Sequence, residues 1–200
     1  MRKFLITLLF LTGCPKPKPV LDDLGTLPPW QLTDQDGKPF GSEQLKGQPW
    51  VANFLFTSCP SSCPPLARAT QDLQERVRPW MRKNPQKYPR IVSISVDPET
   101  DTPEVLRQWG KTYQQDPQIW SLVTGDYATM EKLVVQGFMQ PIIRKDRVPG
   151  QPVPPQPTPI DTAHSLRFVL VDAHGHLRGL YATDETGKLD QALQELTENP

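Results

Sequence analysis

Two cysteines four positions apart, Cys59 and Cys63, carry the chemistry open to this chain. They lie in the stretch VANFLFTSCPSSCPP at residues 51–65, and each is followed by a proline, Pro60 and Pro64. Three readings compete. A structural disulfide is sterically allowed, since a bridge needs Cα atoms roughly 4.4–6.8 Å apart, but a bridge closing so short a loop stabilises little. A redox dithiol is the second, although reductases of this kind favour two intervening residues and three stand here. The third is a metal clamp, because two soft thiolates on one turn suit Cu(I) better than any hard cation.

A metal site needs at least one more ligand, and the chain has three histidines. His174 and His176 flank Gly175 in what reads as a solvated hairpin turn. His164 falls between a proline-rich stretch and a strand, where it is either a ligand or a polar strand end. Two cysteines and one histidine would make a three-coordinate site. Structural zinc would call for a fourth ligand, and the sequence shows none.

The elements around the cysteines explain their placing. Val51, Ala52, Phe54, Leu55 and Phe56 form an apolar run that reads as a strand buried on both faces. A helix is expected over residues 65–82, with Leu66, Ala69, Leu73 and Val77 on one face and Pro79 kinking or ending it. Pro64 or Pro65 suits the first helical position. Cysteines at such a helix start should both have lowered pKa values, because unpaired amides there favour negative charge.

The rest of the chain alternates. Asp36-Gly37 between short apolar pieces predicts an N-terminal hairpin, and Ser42–Leu45 a helical turn stopped by Gly47. Strands are expected over 90–96, over 119–123 and over 165–172, the last with Leu166, Phe168 and Leu170 alternating. Thr102 and Pro103 open one helix, Asp126 caps another that Gly137 closes, and residues 188–198 form a closing helix. Asp97 and Asp101 read as turn and capping residues ahead of Pro103, with a charge near the cysteine turn, at the C-terminal end of a strand, as the alternative. The order predicts an α/β protein with parallel strands first and an antiparallel edge. A thioredoxin-like fold suits it, with a central mixed sheet flanked by helices and an N-terminal hairpin.

Composition narrows the classes. Basic and acidic residues balance at 22 each, with no long basic run, so no nucleic-acid partner is expected. Prolines gather at residues 15–29, 60–65 and 149–159. The last of these, GQPVPPQPTP with its neighbours, predicts a long surface loop.

Residues 1–13 read as a signal peptide: Arg2 and Lys3, a short apolar stretch, then Leu11-Thr12-Gly13-Cys14. That ending resembles a lipobox, which implies cleavage before Cys14 and lipid attachment to it. Residues 14–27 then form a proline-rich tether and residues 28–200 the domain. The protein is expected in a bacterial cell envelope, extracytoplasmic and held to the membrane by its lipid.

Several stretches together resemble the SCO/SenC family of copper-binding proteins. They are FLFTSCPSSCP at 54–64, SVDPETDTP at 95–103, WSLVTG at 120–125, and His164-Ser165 followed by FVLVD at 168–172. The resemblance implies copper bound by Cys59, Cys63 and His164, and delivery to the dinuclear copper site of cytochrome c oxidase. Its copper-bearing subunit or other copper chaperones would be the partners. The alternative is a thiol–disulfide oxidoreductase that reduces the copper-ligand cysteines of such a partner, with Cys59 and Cys63 as the reacting pair. Two features depart from the family pattern. Ala163 stands where an aspartate usually precedes the histidine, with Asp161 nearby, and the loop at 149–159 is unusually rich in proline.

Overall fold

The computed structural model describes residues 21–140 and 166–199. Cys14, Ala163, His164 and the 149–159 stretch lie outside the described residues. The N-terminal hairpin pairs β1 (Gln31–Asp34) with β2 (Pro39–Gly41). Its turn is built by Asp34, whose carboxylate accepts the amides of Asp36 and Lys38, and by Gly37 at a φ of 75°. The helical turn α1 (Ser42–Leu45) follows.

A parallel trio forms the middle of the sheet: β3 (Trp50–Leu55), β4 (Arg90–Ser95) and β5 (Trp120–Thr124). All three are almost wholly buried, as parallel strands covered on both faces must be. The seven strands run in the order β2-β1-β5-β4-β3-β6-β7. Here β6 is Arg167–Val171 and β7 is Leu177–Ala182, and both outer pairs join antiparallel. Antiparallel strands therefore flank the trio on both sides, whereas one antiparallel edge was expected. The mixed sheet with its flanking helices is the thioredoxin-like α/β architecture that the strand order predicted.

On one face lie α2 (Cys63–Lys83), α3 (Pro103–Thr112) and α5 (Thr186–Glu198). Asn53 of β3 donates to Thr70 of α2 at 2.9 Å. Trp109 of α3 meets Trp120 of β5 edge-on, and Arg76 of α2 pairs with Asp190 of α5. The opposite face is covered by α4 (Tyr127–Glu131) and the π-helical turn that continues it over Lys132–Gly137. Phe138, just beyond, packs edge-on against Trp50 and Phe54 of β3.

Four local expectations are refined or corrected. Of the two outcomes expected at Pro79, a kink or an end, it does not end α2, which runs on to Lys83, with Trp80 packed against the core. Gly137 is the last helical residue, as expected, but not in a left-handed conformation. The left-handed residue is Met139, at a φ of 54°, while Gly137 allows close approach: a Cβ there would sit 3.2 Å from Leu27. In β6 the residues from Phe168 to Val171 are all buried, because the strand is interior, and Leu166 lies exposed ahead of it. Finally, part of the expected tether is docked on the domain. The amides of Leu24 and Leu27 donate to Leu177 and Gly175, and Leu177 donates back to Gly25.

Candidate metal centre

The dithiol turn begins where β3 leaves the sheet at Leu55 and ends at Cys63, the first residue of α2. Pro64 therefore takes the second helical position, where its missing N–H again costs nothing. The Cys59 amide donates to the Phe56 carbonyl at 3.2 Å, which curls the chain back beneath β3. Both cysteines are free thiols. The Cys63 amide points at the Cys59 sulfur, 3.3 Å away, and the Ser62 hydroxyl lies 3.3 Å from the same sulfur. Cys59 and Cys63 are 6% and 4% exposed although Ser58, Pro60 and Ser61 around them face solvent. The turn is thus exposed and its sulfurs sit just below the surface.

The two thiols are not equivalent, which corrects the expectation that both would be acidified. Burial acts to raise the pKa of Cys59. It is outweighed by the Ser62 hydroxyl, the amides of Ser61 and Cys63 and the Cys63 thiol, which together bring Cys59 down to about 7. Cys63 is pushed up to about 12, by burial first and then by the neighbouring Cys59 and the charge of Asp101, against a partial offset from the Phe56 backbone. The helix-start donors converge on one sulfur only.

Of the two parts weighed for Asp101, capping and service to the cysteine turn, the structure shows the second. The cap of α3 is Thr102, whose hydroxyl accepts the Val105 amide, and the Asp101 carboxylate reaches the dithiol turn instead. It accepts the amide and the hydroxyl of Thr57 and the hydroxyl of Ser95. Asp97 keeps its expected part in the turn, where its carbonyl accepts the amides of Thr100 and Asp101. The signal for Asp101 was present in the sequence as Thr57, two residues before Cys59, but nothing local ties the two together across 44 positions.

His174 is exposed, and His176 lies half-buried with Nδ1 3.4 Å from the Thr26 hydroxyl and 3.7 Å from Asp23, so neither approaches the cysteines' turn by contact. Among the described residues no group of three or more His, Cys, Asp and Glu is arranged to hold a metal. The donor set described is therefore two sulfurs on one turn, soft and adjacent, and its chemistry fits a soft monocation. Because β6 is antiparallel to β3, it begins at the end of the sheet where β3 delivers the cysteines.

The sequence profile of the SCO1/SenC family matches residues 22–198. The chain belongs to the SCO1/SenC family. Solved structures agree with that membership. The crystal structure of a SCO1/SenC family lipoprotein from Bacillus anthracis is 30% identical, with a TM-score of 0.68 over 87% of this chain and 96% of that one. BsSco, described as a member of the Sco family of cytochrome c oxidase assembly proteins with a disulfide switch, is 26% identical. Its TM-score is 0.71, over 92% of this chain and 100% of its own. ScoI of Bradyrhizobium japonicum, solved with copper bound, is 25% identical with a TM-score of 0.66, over 86% and 99% of the two chains. As a SCO1/SenC protein the chain carries its cysteine pair in the turn that joins β3, beside the middle strand β4, to α2.

Proposed function

We propose that this protein binds copper through Cys59, Cys63 and His164 and delivers it to the dinuclear copper site of cytochrome c oxidase. The observation that carries the reading is the pair of free, shallowly buried sulfurs on one turn, with the Cys63 amide directed at the Cys59 sulfur. A copper-bound relative and a relative described among cytochrome c oxidase assembly proteins support it. His164 stands three residues before β6, and that strand's start lies at the dithiol end of the sheet. Copper is cargo here. Its transfer would proceed by exchange of ligands with a partner's thiolates, and the exposed residues around the sulfurs leave room for an incoming ligand.

The inequality of the thiols favours a second reading, a thiol–disulfide oxidoreductase acting on a partner's copper-ligand cysteines. Cys59, at about 7, would attack, and Cys63 would resolve the mixed disulfide. The relative with a disulfide switch supports this reading. We place the protein in a bacterial cell envelope, anchored through lipid on Cys14, in line with the Bacillus anthracis lipoprotein. Among the described residues no helix is long and apolar enough to cross a membrane.

The deciding experiment titrates the reduced chain of residues 15–200 with Cu(I) against a competing chelator, beside Cys59→Ser and His164→Ala. One tight Cu(I) per chain, weakened at least tenfold in each variant, is expected. Absence of tight binding in the unaltered protein overturns the copper reading and leaves the oxidoreductase. Undiminished binding in His164→Ala removes the histidine from the site.

A further inference from the structure

The strand β7 is the last of the sheet, so its outer edge presents backbone groups that need partners. The chain ahead of β1 supplies them. The Leu27 amide donates to the Gly175 carbonyl at 2.9 Å, and Thr26 pairs antiparallel with His176. Leu177 accepts the Leu24 amide at 3.0 Å and donates to the Gly25 carbonyl at 2.8 Å. Followed toward its N-terminus, the segment therefore climbs β7 away from the β6–β7 turn. Leu21 and Leu24 pack against the core. Burial first, and then the charges of Asp22 and Glu185, raise the pKa of the Tyr181 hydroxyl, which places Asp22 near Tyr181. Tyr181 stands one residue before the end of β7.

That end of β7 is the dithiol end of the sheet. Ala182 pairs with Arg167 at the start of β6, and β6 runs antiparallel to β3, which delivers the cysteines. His174, in the β6–β7 turn, stands at the opposite end, one strand length or roughly 20 Å away. Leu21 thus leaves the domain toward the sulfurs. Seven Cα steps separate it from Cys14. A chain covers at most about 3.6 Å per residue, so these steps span roughly 25 Å when fully extended. Presenting the His174 end to whatever holds Cys14 would send them back past the full length of the strands and exhaust them.

We propose that the docked segment is an orienting strap: it turns the dithiol end of the domain toward the membrane, where an acceptor anchored in the same membrane meets the sulfurs. This rests on the reading that Cys14 bears the lipid.

The test uses the full lipidated chain on vesicles of phosphatidylethanolamine and phosphatidylglycerol that carry a head-group nitroxide. A fluorescent amino acid is placed at Thr100, in the loop after β4 at the dithiol end, or at His174; both positions are exposed and neither belongs to the proposed copper site. Quenching by the nitroxide is expected to be at least about twofold stronger at Thr100, because contact quenching dies away within the roughly 20 Å between the two ends. Equal quenching, or stronger quenching at His174, overturns the proposal. Leu24→Pro removes the amide given to Leu177 and should shrink the difference between the two positions. Should that variant not fold, about ten Gly-Ser residues inserted between Val20 and Leu21 add flexible reach outside the domain and should shrink it likewise. An undiminished difference in the variant measured means that another surface orients the domain, and it overturns the strap. A full-length chain recovered without lipid overturns the lipid reading and this inference together, whereas a lipidated chain with the wrong quenching pattern overturns this inference alone.

Discussion

Cys59 and Cys63 occupy neighbouring turns of backbone and behave as different chemical groups. The difference is one of donors: Cys59 receives the Cys63 amide and the Ser62 hydroxyl, and Cys63 is buried with a carboxylate nearby. The thiolate is the reactive form, so the fraction of reactive Cys59 rises with pH through about 7, while Cys63 stays protonated until about 12. Alkylation with iodoacetamide at pH 8, mapped by mass spectrometry, should label Cys59 at least tenfold faster than Cys63. Equal rates would contradict the hydrogen bonding described. The position of both cysteines in a strand-to-helix turn was legible, because a buried apolar run and a Pro-started helical pattern are local signals. Their inequality was not, because it depends on which sulfur the amides face.

At the scale of elements, the dithiol turn is gripped between β3 and α2. Asn53, wholly buried, donates to Thr70, whose hydroxyl donates to the Leu66 carbonyl one turn earlier at 2.8 Å. Thr70→Val keeps the shape and leaves the Asn53 amide without its acceptor. A buried polar group stripped of its partner costs about 1–3 kcal/mol. Urea unfolding should show a loss of that size, and an unchanged midpoint would mean that Asn53 finds another acceptor. The sequence showed β3 and α2 clearly, since their apolar residues repeat at strand and helix spacing. It did not show the π-helical turn after α4, where five-residue spacing ends with the Leu133 carbonyl accepting from Phe138. Gly137 is a weak guide there, because its small size serves packing against Leu27 and not a left-handed helix end.

For the whole molecule, the sheet places its two ends in different roles. One end carries the dithiol turn and the start of β6; the other carries the β6–β7 turn, where Asp172 accepts the amides of His174 and His176. The N-terminal strand of chain at Leu24–Leu27 is stitched to β7, so the spacer available between Cys14 and the domain is shorter than residues 14–27 suggest. If Cys14 bears the lipid, Cys14→Ser should move the protein from the membrane to the soluble fraction of the cell envelope and abolish labelling by a radioactive fatty acid. Retention in the membrane with no label would assign the anchoring to another segment.

The sequence alone determined the alternation of strands and helices, the placing of two cysteines at the mouth of a buried strand, and the family pattern spread over residues 54–172. Those features are local: apolar periodicity, proline and glycine at element ends, and fixed spacing each act within a few residues. Only the tertiary structure decided that the hairpin joins β5, that β6 is interior, and that Asp101 grips Thr57. Strand neighbours, burial on two faces and a hydrogen bond across 44 positions are properties of the packed core. The same packing separates the two thiols, because the hydrogen bonds that act on them come from their own turn and the carboxylate from the loop after β4.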